Sequence, residues 1–180
     1  MYYQLNWRAD DGEDYSNTAD SPKTRVPWTM GVMYRREVPQ PLICNLNPKR
    51  GPKLRDLYLI DIPLFSNRFV KLLEDNGVSN LQCFNGGVRE PDGTLHDNYK
   101  AVNIVGLIAC ADLEKSEYIS GSEPPIMEFT KLVIDEAKIG EHEFFRVQEN
   151  SLYILVSESL KNVIEQSDLK GFSLTPIESS

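Results

Sequence analysis

The two histidines are the side chains in this sequence best suited to acid–base chemistry near neutral pH. His96 lies in a polar turn region and His142 lies between two glutamates in another, so both are expected to face solvent. Neither histidine has a nucleophilic serine or cysteine in a G-x-S-x-G motif. A zinc-spaced His/Cys cluster, a phosphate-binding loop and a G-x-G-x-x-G motif are also absent from the sequence. We therefore expect no catalytic residues, no metal and no cofactor.

Carboxylates are plentiful, and one run of them is dense. Asp10, Asp11, Glu13 and Asp14 surround a single glycine. Their order departs from the alternating D-x-[DN]-x-[DN]-G pattern of a calcium loop. They form either a flexible loop or a contact with a partner, and we interpret them as part of a partner-binding surface. The other carboxylates are interpreted as a solvated acidic surface. A catalytic pair among them stays open, and it leaves a carboxylate-dependent enzyme of undescribed type as an alternative function.

Two serines and a pair of glycines have simple structural interpretations. Ser66 and Ser157 each precede a short amphipathic pattern, as helix N-caps do, because a serine hydroxyl can accept a hydrogen bond from the first helical turn. Gly86-Gly87 lies outside any phosphate-loop context and predicts a bulge or bend in a strand. These residues therefore position elements of the fold.

The two serines belong to similar stretches that lie 91 residues apart. At this offset Leu64/Leu155, Ser66/Ser157 and Glu74/Glu165 are identical, and further apolar positions correspond over some twenty residues. Each stretch reads as strand, serine cap, amphipathic helix, loop and strand. Three identities can arise by chance, but the matching apolar pattern is typical of a repeated structural unit.

Strands alternate with these two short helices along the rest of the chain. Leu57–Ile62, Tyr99–Ala109 and Leu152–Val156 have strand-like runs, whereas Ala111–Tyr118 is polar and suits a short helix that Asp112 would cap. The pattern predicts an α+β fold, with a mostly antiparallel sheet, two short amphipathic helices and two similar strand–helix–strand units.

The first 55 residues differ from the rest because they hold six of the eleven prolines. Proline cannot donate a backbone hydrogen bond, so this stretch is expected to be irregular. We predict a single domain over residues 1–180, in which residues 1–55 wrap an α+β body at 56–177. At 180 residues the chain has the length of one domain.

Net charge is −8, and its distribution bears on partners. Residues 1–20 carry −4, residues 21–55 carry +7 and residues 56–180 carry −11. So acidic a body repels the phosphates of nucleic acid, and a basic protein suits it better as a partner. Binding of nucleic acid through the basic segment 21–55, as a regulatory subunit, remains an alternative.

Three features of the sequence bear on location. No apolar run has membrane-span length, and the N-terminus has no secretory pattern. Three cysteines without CxxC spacing are consistent with reduced thiols. We therefore expect no membrane partner and a cytoplasmic location.

Several stretches, taken in order, form a pattern that is more specific than any one of them. They are Phe65–Phe69 with Leu72–Glu74, Tyr99–Asn103 with Asp112 and Ser116, Phe144–Arg146, Val156–Lys161 and Leu169–Phe172. In this order they resemble the Imm11 family of bacterial immunity proteins. The resemblance covers about residues 57–177, with a weaker match at Tyr2–Leu5. Gly86-Gly87 stands where many relatives have proline, and the proline-rich segment 21–55 is particular to this chain.

The resemblance implies a function that needs no catalytic residue. Members of this family are taken to be encoded beside polymorphic toxins, often ones delivered by contact-dependent or type VI secretion. They are taken to neutralise the cognate toxin by binding it in the cytoplasm. The acidic body would suit a basic, nuclease-like toxin.

Overall fold

The computed structural model describes residues 1–7, 18–46 and 54–180. Fourteen strands, two α-helices and one 3-10 turn are present in these ranges. In chain order they are β1 (Tyr2–Trp7), β2 (Thr18–Asp20), β3 (Leu42–Leu46), β4 (Leu57–Tyr58), β5 (Leu64–Ser66), α1 (Asn67–Asp75), β6 (Leu81–Arg89), β7 (Leu95–Ile104), β8 (Leu107–Ile108), β9 (Glu117–Tyr118), β10 (Phe129–Lys131), β11 (Val133–Ile134), the 3-10 turn (Glu136–Lys138), β12 (Phe144–Val147), β13 (Ile154–Ser157), α2 (Glu158–Gln166) and β14 (Phe172–Ser179).

Each helix begins at the serine that the sequence marks. Ser66 and Ser157 have extended backbones, and each hydroxyl accepts a hydrogen bond from the N–H group three residues later. Helix α1 ends before Gly77, whose φ of +89° is a conformation that glycine adopts without steric cost. Both helices have nine residues, so neither is long enough to cross a membrane.

Two six-stranded sheets and one separate two-stranded hairpin hold the strands. The first sheet has the order β2-β3-β6-β7-β5-β4, and the second has the order β11-β14-β1-β13-β12-β8. Within the sheets, β3 is parallel to β6, β11 to β14 and β12 to β8, whereas the remaining pairs are antiparallel. The predicted α+β class with mostly antiparallel strands is confirmed, but the strands form two large sheets.

The two sheets are copies of one five-stranded arrangement. The series β3-β6-β7-β5-β4 and β11-β14-β1-β13-β12 correspond strand for strand and agree in the direction of every pair. Helix α2 begins 91 residues after α1. The repeat is therefore structural, and the two units are similar as predicted.

The copies agree even in register, although the chain connects them differently. Tyr99 on β7 pairs with the cap residue Ser66, and Tyr2 on β1 pairs with the cap residue Ser157. In the first unit β7 directly follows β6, whereas its counterpart in the second unit is the N-terminal strand β1. The N-terminus therefore completes the second unit.

A shared core lies between the two units. One buried cluster contains side chains from both helices and both sheets, and within it the Phe65 and Phe144 rings lie 6.4 Å apart. Burying each such side chain contributes roughly 1.5–3 kcal/mol. Because strand side chains alternate between faces, the same strands also bury a second set of residues on the outer face of each sheet.

A different loop segment covers each outer face. Val26, Trp28 and Val38 pack against the first sheet. Two residues pack against the second sheet. Cys110 comes from the segment that leads into the second unit, and Ile139 comes from the turn after β11. These covers complete the core, while the division into an irregular segment 1–55 and a body stays a prediction.

A buried carboxylate connects the two units. Asp56 accepts hydrogen bonds from Ser66 Oγ at 2.6 Å, from Arg68 Nε and Nη2 at 2.6 Å and from the Lys170 backbone N–H at 2.8 Å. Arg68 also contacts Asp168 at 2.8 Å. Burial alone would raise the pKa of Asp56, but these hydrogen bonds outweigh it and hold the pKa below its ordinary value.

The predicted helix at Ala111–Tyr118 is wrong. The Asp112 carboxylate accepts hydrogen bonds from the N–H groups of Glu114 and Lys115, and so caps a turn instead of a helix. The hydroxyl of Ser116 bonds both backbone groups of Val133. This contact fixes Ser116 against the second sheet, so the segment forms a turn and the local preference for helix is overridden.

Two predicted strands are shorter than expected or displaced. Only Leu57–Tyr58 of the first is a strand, and the strand that enters α1 is β5. The second runs from Leu95 to Ile104 and stops before Gly106, whose φ is +97°. The predicted bulge at Gly86-Gly87 is confirmed, because the β6–β7 register shifts between Gly86 and Val88.

Candidate interaction surface

Most of the side chains that could take part in catalysis make contacts within the fold. Ser66 donates to Asp56, and Ser157 shares a hydrogen bond with Ser159. His96 lies on β7 rather than in a turn, and its Nε2 is 2.6 Å from Glu90 Oε1. His142 is exposed as expected.

The sequence-predicted partner-binding residues Asp10, Asp11, Glu13 and Asp14 lie outside the described residues. Within the described ranges, no group of three or more His, Cys, Asp or Glu side chains is arranged to hold a metal ion. The three cysteines are free thiols, and burial raises the pKa of Cys110 to about 12. Such a thiol is a poor nucleophile at neutral pH.

One exposed feature lies outside the duplicated framework. The chain between β8 and β11 forms the two-stranded hairpin of β9 and β10, which pairs with neither large sheet. We call residues 117–131 the linker hairpin. The first unit has no separate two-stranded hairpin among the described residues that precede β3, the strand that corresponds to β11. The architecture that the two units share therefore does not account for it.

The linker hairpin is fixed to the turn between β12 and β13. The Met127 N–H donates to the Glu149 carbonyl at 2.8 Å, and Asn150 Nδ2 donates to the Met127 carbonyl at 2.7 Å. Arg146 is 2% exposed, and its Nη1 donates to the Ser151 carbonyl at 2.6 Å. The hairpin and the turn at 148–153 therefore present one connected surface.

Arg146 is a buried cation beneath this surface. Burial lowers its pKa to about 10, so the guanidinium remains protonated at neutral pH. Its Nε has no hydrogen-bond partner among the described residues. The side chain fixes the 148–153 turn through a backbone carbonyl, and we assign it a positioning role.

Large apolar side chains are exposed on this surface. Tyr118 is 40% exposed, Ile119 51%, and Ile126 and Leu152 are both 63% exposed. A β-bridge between Ile126 and Asn150 places the two most exposed side chains on adjoining segments. Contiguous exposed apolar groups rimmed by polar ones are typical of interaction sites.

Ring contacts connect the hairpin with the turn. Tyr118 and Phe129 pack edge to face with centroids 6.0 Å apart, and Phe129 packs in the same way on Tyr153 at 6.3 Å. Tyr153 follows Leu152 directly in the chain. The aromatic series therefore connects the linker hairpin with the 148–153 turn through packed rings.

Negative charge surrounds the apolar residues. Four exposed carboxylates form no ion pair with any other described residue, namely Glu114, Glu117, Glu123 and Glu128. The two nearby lysines are already engaged, since Lys115 Nζ lies 3.3 Å from Asp112 and Lys131 Nζ lies 2.8 Å from Glu178. The hydrogen bond to Glu178 raises the pKa of Lys131, which keeps that pair charged.

An open acidic cleft of about 560 Å³ lies beside the turn. Asp112, Asp135 and Glu149 line it together with Lys138, which pairs with Asp135 at 3.5 Å. One buried oxygen of Glu149 has no hydrogen-bond partner among the described residues. The cleft continues the negative potential of the hairpin.

Comparison with models of known protein families identifies the family of this chain. The family model of the Imm11 immunity proteins matches residues 5–179, which is nearly the whole chain. The chain belongs to the Imm11 immunity protein family. No curated protein matches the chain.

The structure shows what several residues in the matching stretches do. Ser66 and Ser157 cap the two helices of this Imm11 chain, and Arg68 holds Asp56 between the units. Arg146 fixes the 148–153 turn. The residues that carry the resemblance therefore build the scaffold.

The linker hairpin was missed by the sequence analysis, although a signal exists. The run Gly121-Ser122-Glu123-Pro124-Pro125 is dense in turn residues and separates Tyr118-Ile119 from Ile126-Met127. Apolar pairs on both sides of such a run are typical of a hairpin. The polar residues at 111–117 hid this pattern because they suggested a helix.

Proposed function

We propose that this Imm11 protein neutralises a cognate bacterial toxin by binding it directly in the cytoplasm. The family match over residues 5–179 carries the proposal, because immunity is the property that defines the family. On this view the toxin belongs to a polymorphic or type VI secretion system. In this proposal the bound chain blocks the toxin, and it does not catalyse a reaction on it.

The described surface supports a basic toxin. The unpaired carboxylates of the linker hairpin surround exposed aliphatic side chains, a combination that favours a partner with a positive rim. Toxins that cleave nucleic acids carry such a rim to hold phosphates. A nuclease-like toxin is therefore the form of partner that we propose.

Coexpression tests the proposed function. The toxin domain encoded beside this gene is expressed in a susceptible cell, alone and together with this chain. We expect the toxin alone to stop growth and coexpression to restore it. An unrelated immunity protein, expressed at the same level, is the control. Growth arrest that persists in the presence of this chain would contradict the proposal.

A second candidate function has one observation in its favour. Lys23, Arg25, Arg35 and Arg36 are exposed, and none forms an ion pair with another described residue. They lie in the segment that covers the first sheet, where basic groups suit a phosphate backbone. This alternative predicts DNA or RNA binding that weakens steeply with salt, and no binding at low ionic strength would remove it.

A further inference from the structure

The linker hairpin combines three properties that together are typical of an interaction site. It is additional to the duplicated framework, it exposes large aliphatic side chains and it lies in a field of unpaired carboxylates. Its exposed residues are not needed to bury either sheet, because Cys110, Leu132 and Ile139 already cover the second sheet. A purely structural role explains the strands of the hairpin but not its exposed tip.

We propose that the linker hairpin and the 148–153 turn form the toxin-docking surface, with Ile126 and Leu152 as anchors and the surrounding carboxylates facing a basic rim of the toxin. The inference deepens the proposed function and rests on it. The occupant is a toxin domain whose contact face has an apolar centre and basic edges.

The aliphatic anchors supply the apolar centre. Ile126 and Leu152 each leave 63% of their surface in water, so contact with a partner removes apolar area that folding did not bury. The backbone beneath them is held by the Asn150 and Arg146 hydrogen bonds. A surface fixed in advance loses little conformational freedom on binding.

Charge complementarity identifies the partner's edges as basic. Glu123 and Glu128 lie between and beside the apolar residues without an ion pair inside the described chain, whereas Lys131 is occupied by Glu178. A partner without positive charge would leave these carboxylates facing a surface that does not match their potential. A partner with arginine or lysine at its edge would be attracted over about a Debye length, roughly 10 Å at 0.1 M salt.

The acidic cleft extends the docking surface in one direction. Glu149 connects it to the hairpin, since its carbonyl accepts from Met127 while its side chain lines the cleft. Asp112, Glu114 and Glu149 give the cleft a negative potential that would attract a basic side chain of the toxin. The cleft is therefore the place at which we expect one arginine or lysine of the toxin to bind.

Two pairs of variants test the surface. The probe is the toxin domain encoded beside this gene, purified in an inactive form. Ile126→Ser with Leu152→Ser removes both anchors, and Leu95→Ser is the control because Leu95 is 47% exposed on β7, in the first unit. Since anchor residues carry most of the affinity of an interface, we expect the double variant to raise Kd at least about 30-fold and the control to leave it unchanged.

Charge reversal tests the rim. Glu123→Lys with Glu128→Lys is expected to slow association about 10-fold at low salt, and the difference should shrink at high salt. Glu74→Lys, at an exposed position on α1, is the matched control and should have a much smaller effect. All variants should keep the wild-type urea midpoint, because every changed side chain is exposed.

The outcomes distinguish the surface from the function. If the wild-type chain binds the toxin and the hairpin variants bind equally well, the surface is wrong while the proposed function stands. If the wild-type chain does not bind, the proposed function fails and the surface fails with it. A wild-type homodimer that the anchor variant abolishes would assign the surface to a second copy of this chain and overturn the proposal.

Discussion

The duplicated fold provides its own control for the energetics of the helix caps. Ser66→Ala and Ser157→Ala remove the same N-cap hydrogen bond from helices of equal length. Loss of a serine cap costs about 1 kcal/mol. Any difference in the free energy of unfolding must therefore come from the second hydrogen bond that each hydroxyl makes.

The second hydrogen bonds differ in charge and in burial. Ser66 Oγ donates at 2.6 Å to Asp56, whose side chain is only 7% exposed, so water cannot replace the lost donor. A hydrogen bond to a charged group contributes roughly 1.5–3 kcal/mol. Ser157 instead shares a bond with Ser159, which lies in reach of water. We expect a loss of about 3 kcal/mol for Ser66→Ala and about 1 kcal/mol for Ser157→Ala.

Equilibrium urea unfolding, followed by fluorescence and circular dichroism, measures both losses. A double-mutant cycle isolates the contribution of the charge on Asp56. In an Asp56→Asn background, Ser66→Ala should lower the free energy of unfolding by only about 1 kcal/mol, which is the cost of losing a cap. Equal losses for the two serines, or no coupling between Ser66 and Asp56, would refute the account of the buried carboxylate.

Other predictions concern acid stability, a glycine and a thiol. The pKa of Asp56 is lowered in the folded chain, so its contribution to stability is present above the unfolded pKa, near 3.8, and is lost as the pH falls through the folded value. Asp56→Asn should therefore lower the urea midpoint at pH 7, and the midpoint of this variant should fall less steeply below about pH 4 than that of the wild type. Gly171→Ala should lower the free energy of unfolding in urea by about 3 kcal/mol, because φ is +93° and a Cβ would lie 2.6 Å from Arg55 Cβ. Gly77 has φ +89° but open space around it, so Gly77→Ala should cost only about 1–2 kcal/mol. Equal costs for the two variants would contradict the close packing of Gly171 against Arg55. Cys110 should react with a thiol reagent only after unfolding, and rapid labelling of the native chain at pH 7.5 would show that it is accessible.

Local chemistry made the helices predictable. Ser66 and Ser157 predict the starts of the two helices because a serine hydroxyl can accept a hydrogen bond from the first helical turn. The spacing of the apolar residues that follow predicts which helix face is buried. The offset of 91 residues also revealed the repeat, since equivalent positions must bury equivalent side chains. The glycine bulge in β6 follows from the same kind of local reasoning.

Pairing between distant segments was not predictable from local patterns. The counterpart of β7 in the second unit is β1, at the other end of the chain, and no sequence offset within the repeat points to it. The segment after Ala111 forms a turn and not a helix because Ser116 bonds the backbone of Val133, a contact that its polar composition does not reveal. The linker hairpin was missed for a different reason, because the polar residues at 111–117 suggested a helix.

The scaffold motifs and the candidate surface occupy different parts of the chain. Ser66 and Arg146 match the family pattern and are buried, whereas Ile126 and Leu152 face solvent. Reasoning from motifs alone therefore finds the scaffold. The surface required knowledge of which side chains folding leaves exposed.

Stoichiometric titration of toxin activity tests the central proposal, neutralisation by binding, most directly. The purified toxin domain is held well above the expected Kd, increasing amounts of this chain are added, and the remaining toxin activity is measured after brief mixing. Direct binding predicts a linear fall that reaches zero near one equivalent and does not deepen with longer incubation. Complete inactivation by a small fraction of an equivalent, progressing with time, would mean that the chain acts as a catalyst and would contradict the proposal.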